Sequence, residues 1–329
     1  MRKIVIGVLA LLALGASAAG AAPVHKVIER LPGPDGRWDY ASVDRAHHRL
    51  LIGRADGVLA YDIAAPGGKA IALAPAQGGH AAIAIEGGIL VTNGTAATAT
   101  IFDSAGALLA TIPTGKGPDA ATLDTKTGLV LVMDHAGGDV TLVDVKKRAV
   151  AGTIAIGGAL EAADVDGVGH AFVNVEDKNE VVFLNVAKRK VLGHHAMAGC
   201  TSPTGIAYVA EGKRLIVACQ SLVVVMSATT GKVLTTIKIG PGSDGAVYDP
   251  VRKLAYVPAA REGTLAVLAV TAKDVTLAET VPTQIGARTL AVDPDSGNVY
   301  LPTGTYLPAT TPGGRPTVAP GSFVVLVVG

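Results

Sequence analysis

The sequence predicts an all-β protein, a seven-bladed β-propeller with four-stranded blades. Three observations carry this. A segment of about 41 residues recurs seven times, its copies starting at Arg37-Trp38-Asp39-Tyr40, Gly79-His80-Ala81, Pro118-Asp119-Ala120, Leu160-Glu161-Ala162, Pro203-Thr204-Gly205, Ser243-Asp244-Gly245 and Ala287-Arg288-Thr289. Within each copy, short apolar runs are separated by Gly, Asp and Lys and show no helical period. Finally, 49% of the residues are apolar but only 4% aromatic, with 41 Gly and 18 Pro, which demands many turns and a core of Val, Ile, Leu and Ala.

The N-terminus comes first. Met1-Arg2-Lys3 is cationic, Ile4 to Leu14 is apolar, and Ala19-Gly20-Ala21 fits the small-x-small cleavage pattern. Residues 1–21 therefore read as a secretory signal, with 22–329 as one propeller domain. The apolar run falls short of the roughly 20 residues of a spanning helix. The expectation is a periplasmic or secreted protein with no membrane span in its mature form. Losing Arg2 and Lys3 moves the formal charge from +1 to −1, so no general attraction to nucleic acid or anionic membrane is expected. The basic runs Lys146-Lys147-Arg148 and Lys188-Arg189-Lys190 lack interleaved aromatics, which also argues against nucleic acid.

Each copy then divides into four strands. In the third they are Ala120–Leu123, Leu129–Met133, Val140–Val143 and Val150–Ile156. Asp44, Asp124, Asp166, Asp249 and Asp293 close first strands, where an aspartate bonds the backbone ahead of it, so these five read as structural. Asp164-x-Asp166-Gly167 lacks the later acidic ligands of a calcium loop and reads as a turn. The chain ends in Ser322–Val328, a third strand with no fourth after it. Residues 24–31 resemble fourth strands elsewhere and are expected to complete the last blade.

Leu90-Val91-Thr92-Asn93 and Gly117-Pro118-Asp119-Ala120-Ala121-Thr122-Leu123-Asp124 resemble the YVTN family of seven-bladed propellers, with weaker echoes at Ala255-Tyr256-Val257-Pro258 and Val299-Tyr300-Leu301-Pro302. Copies such as Ile216-Val217-Ala218-Cys219 depart from the signature. The resemblance implies the fold across 24–329 and leaves function open, because propellers host many roles.

In a propeller, the approach to each first strand and the loop after each second strand share one face, called here the top. The approach positions read Asp39, His80, Asp119, Glu161, Thr204, Asp244 and Arg288. The other loops add Arg54, Asn93, Asp134, His135, Asn174, Glu176, Gln220 and Arg261. Converging carboxylates raise one another's pKa or hold a cation. The ring thus reads as a pocket for a cationic group or a metal. The alternative is a solvated mouth in which carboxylates cap backbone N–H groups and pair with Arg37, Arg261 and Arg288. No motif demands a cofactor. A divalent metal would find donors in His80, Asp119, His135 and Glu161. The long insertion 303–321 falls on the same face and would bring Tyr306 and Arg315 over the ring.

Cys200 and Cys219 flank one hairpin and reach the same end of it, which suits a disulfide in an exported protein. Neither belongs to a redox or haem motif. His47-His48 and His194-His195 fall at the opposite face and an outer edge. G-x-S-x-G, H-E-x-x-H and phosphate loops are absent. One Trp and seven repeats fit poorly with an eight-bladed quinoprotein dehydrogenase. Two functions follow. The first is a binding module for a small molecule or a periplasmic protein, using Asp39, His80, Asp119, Glu161, Asp244, Arg288 and Tyr306. The second is a lactonase-type or other metal-assisted hydrolase in which a metal or the set of His80 and carboxylates activates water and Arg288 holds the developing oxyanion.

Overall fold

Strand-length apolar runs closed by aspartate turns fold as antiparallel sheets, and seven four-stranded sheets form in the computed structural model, which describes residues 24–308 and 317–329. The segment read as a signal, residues 1–21, lies outside the described residues. Six blades run in chain order from the axis outward. Blade three, for example, consists of Pro118–Asp124, Leu129–Asp134, Asp139–Asp144 and Ala149–Ala155. Among the described residues no helix is long and apolar enough to cross a membrane.

Second and third strands have neighbours on both faces, so they read as continuous apolar runs and not as alternations. Leu50, Leu51 and Ile52 in blade one and Val130 to Met133 in blade three are fully buried. The core lies between blades: Leu131 and Leu142 of blade three pack with Val173, Val182 and Leu184 of blade four. Removing such a side chain, as in Leu131→Ala, costs about 2–5 kcal/mol. Outermost strands alternate instead, as in Lys190–Ala196.

Near the axis space is short. Alanines 41, 81, 82, 120, 121, 162, 163, 207 and 246 line the channel there. A Cβ on Gly205 would lie 2.3 Å from the Gly245 carbonyl carbon, so blades five and six meet backbone to backbone. The five aspartates do the expected work. Asp124 accepts from Lys126 N and Thr127 Oγ1, Asp249 from Val251 N and Arg252 N, and Asp293 from Asp295 N and Ser296 N. Asp44 accepts from His47 N, and Asp166 from Val168 N and His170 N. Asp164 accepts from Tyr208 N at 2.7 Å and joins blade four to blade five.

The last blade combines the two ends of the described chain. Ala291–Val292, Val299–Thr303 and Val324–Val328 are followed outward by Val27–Pro32, which pairs Leu31 with Val325 and Val27 with Val328. A strand from the N-terminal side of the described chain thereby covers the edge of one from its C-terminal side. In the insertion, Tyr306–Leu307 pairs with Thr317–Val318. Arg315 lies outside the described residues.

Candidate functional site

The approach residues are aimed by a repeated backbone irregularity. In blade one Trp38 pairs with Arg54 and Ala41 with Ile52, so Asp39 and Tyr40 together face only Gly53. The same bulge holds His80 in blade two, Asp119 in blade three and Glu161 in blade four. A bulge re-aims a side chain that regular pairing would send to the sheet face. Side chains from the neighbouring strands and blades hold these bulges and the approach to blade five. Thr92 Oγ1 donates to Asp119 O at 2.7 Å, Asn174 Nδ2 to Gly205 O at 3.1 Å, and Thr289 Oγ1 to Asp39 O at 2.7 Å. A Cβ on Gly53 would strike the His80 carbonyl at 1.9 Å, and one on Gly94 would press the His80 imidazole at 2.9 Å. Both glycines therefore make room for His80. In blades five to seven the first strand begins after Thr204, Asp244 and Arg288, which lie in the approach itself.

All seven approach side chains line one top-face cavity of about 400 Å³, together with Tyr40, His135 and Glu176. Five carboxylates face three basic groups there. His80 Nδ1 lies 2.7 Å from Asp39 Oδ2 and 2.9 Å from Asp119 Oδ1. Asp119 and Asp39 together raise the His80 pKa to about 10, so the imidazole is protonated at neutral pH. Glu161, 3.2 Å from His135 Nδ1, raises that imidazole to about 9. Arg288 Nη1 donates to Asp244 at 2.8 Å, while its Nη2 donates to Trp38 O and Asp39 Oδ1. Burial pushes the Asp244 carboxyl up to about 7 although Arg288 draws it down. Tyr40 donates to Glu161 Oε2 at 3.0 Å, and burial among carboxylates keeps its phenol protonated. Within each of two sets, Asp39, His80 and Asp119, and Asp119, His135 and Glu161, the donor atoms lie within 4.8 Å of one another.

The loops after the second strands divide. His135 and Glu176 face the cavity. Gln220 and Arg261 line an adjoining cavity that shares Asp244 and Arg288 with the first and includes Tyr306. Tyr306 also packs edge-on against Trp38. Four residues of the expected set turn away from the cavity. Arg54 donates to Pro34 O and Asp35 O, and Asn93 accepts from Gln77 N. Asp134 accepts from Thr141 Oγ1, and Asn174 holds Gly205. These are end residues or inward residues of second strands, whose side chains enter the blade. The next residue in the loop, such as His135, is the one that turns to the axis. Tyr40 was missed. Its signal was its place beside Asp39 in the bulge. Cys200 and Cys219 form the expected disulfide, with Cα atoms 5.5 Å apart.

No family model and no curated protein matches this chain. Among solved structures it is similar to a chain of a mitotic checkpoint complex (TM-score 0.72, 13% identity, 89% of this chain and 94% of that one). It is similar also to a chain of Kuenenia stuttgartiensis hydrazine synthase (TM-score 0.69, 15% identity, 93% and 99%). At these identities the likeness concerns the fold alone. The chain is a seven-bladed β-propeller with a cavity on its axis rich in carboxylates and histidines.

Proposed function

We propose that this protein is an exported, YVTN-type propeller that binds a small cationic group in its axial cavity. The group is either a free molecule or a Lys or Arg side chain presented by a periplasmic partner. One observation carries the reading: seven side chains distant in sequence converge on one cavity, and carboxylates outnumber bases in it. Its size is that of a small-ligand pocket. The YVTN assignment is supported by the work of Thr92 and Asn93, which tie their blade to the next one and to their own turn. The apolar start and small-residue cleavage pattern support export. The hydrolytic reading in which His80 is the base is weaker. A general base must be unprotonated at working pH, and Asp119 and Asp39 keep His80 protonated.

Calorimetric titration with putrescine, agmatine and choline tests the proposal. Saturable binding of an amine to the native protein, abolished in Asp119→Asn, is expected. Binding that Asp119→Asn and Glu161→Gln leave intact would remove the cavity from the reading.

A further inference from the structure

Three features around Asp119 ask more of the cavity than general attraction for a cation. First, His80 Nδ1 carries a single proton, yet two carboxylate oxygens stand within hydrogen-bond distance of it. Only one can receive it. Asp119 is 9% exposed, and its Oδ1, though 2.9 Å from His80, accepts no hydrogen bond. A buried acceptor left in this state is costly. Second, Asp119 belongs to both donor sets, one through His80 and the other through His135. Third, the carboxylates at the far corners are held by their other oxygens. Arg288 donates to Asp39 Oδ1, and Tyr40 donates to Glu161 Oε2. Such outer contacts orient metal-ligating groups in known sites.

We propose that the cation bound here is a divalent transition-metal ion of the zinc class. It is ligated by His80 Nδ1 together with Asp39 Oδ2 and Asp119 Oδ1. This rests on the cation-binding reading and narrows it. The ion takes the position of the shared Nδ1 proton, which leaves to solvent, and gives Asp119 Oδ1 the partner it lacks. Mixed imidazole and carboxylate donors suit Zn²⁺, Co²⁺ or Cu²⁺, whereas Mg²⁺ and Ca²⁺ prefer oxygen alone.

The full-length mature protein, stripped with EDTA and dialysed, is titrated with Zn²⁺ by calorimetry and with Co²⁺ by visible absorption. Putrescine is run in parallel. Expected are saturable Zn²⁺ binding, cobalt d–d bands, and a drop of tenfold or more in Zn²⁺ affinity in both His80→Ala and Asp119→Asn. Mg²⁺ should bind far more weakly. Circular dichroism confirms that each variant is folded. If one variant fails to fold, the other carries the comparison, with Asp39→Asn as a third. Zn²⁺ binding unchanged in His80→Ala and Asp119→Asn would place the ion on other histidines and overturn the proposal. Absent Zn²⁺ binding with putrescine bound and lost in Asp119→Asn would overturn the metal and leave the cation reading standing. Absence of both would end both.

Discussion

Asp39 and Arg288 are 249 residues apart in sequence and meet at 3.2 Å where the first blade adjoins the last. The same guanidinium reaches Asp244 and the Trp38 carbonyl, so one side chain joins three blades. Replacing Arg288 with Ala strands two carboxylates among others of like charge. Arg288→Ala is expected to lose about 1–2 kcal/mol in urea unfolding, a figure reduced because the arginine is partly exposed. Arg288→Lys should recover only part, since an ammonium lacks the planar fork that spans three acceptors. A midpoint for Arg288→Ala equal to the native one would show the contact to be idle.

Trp38 is the only tryptophan in the chain and is 7% exposed, packed against Phe323 at 5.0 Å. Its carbonyl is bonded to Arg288, and its neighbour Asp39 faces the cavity. Emission should therefore be that of a buried indole and should change saturably as the cavity fills. Asp119→Asn should erase that change. Steady emission throughout a calorimetrically verified titration would separate Trp38 from the site.

The Cys200–Cys219 bridge closes a loop with a sequence separation of 19 beside the cavity. Loop-closure entropy at this length corresponds to about 3 kcal/mol. The double variant Cys200→Ser with Cys219→Ser should lose an amount of that order. Dithiothreitol should shift the native protein to the same midpoint and leave the variant unmoved. Equal stability of native and variant proteins would contradict this.

Asp164 gives the pH dependence its sign. Burial raises its carboxyl from 3.8 to about 6. The folded state therefore holds the proton more tightly than the unfolded chain, and ionisation costs the folded state alone. That cost is absent below about pH 4, grows between pH 4 and 6, and is complete above. Asp164→Asn never ionises and keeps an oxygen for Tyr208 N. Its stability relative to the native protein should rise by roughly 1–3 kcal/mol between pH 4 and 7. A difference independent of pH would refute the burial argument.

Repetition made the fold legible. A sevenfold pattern fixes where Asp39, His80, Asp119, Glu161, Asp244 and Arg288 stand relative to an axis, even without an atomic picture. The pattern does not distinguish a strand's last residue from the one after it. For that reason Asp134 and His135 looked alike in sequence, although one enters the blade and the other faces the cavity. Tyr40 was hidden for the opposite reason. Regular alternation would turn it away from Asp39, and only the bulge brings the two to the same opening. Pair contacts such as Tyr40 to Glu161 depend on side-chain conformations that no repeat encodes.

Among the described residues, Val27–Pro32 finds its strand partner in Val324–Val328. During synthesis, all of residues 33–323 must emerge before that match exists. Until then the newest blade offers an open flank, and the earliest strand waits with nothing to zip against. Closure of the ring thus waits for Val324–Val328, and a product halted shortly before them would remain a broken circle, exposed to proteases and to neighbours with a spare strand.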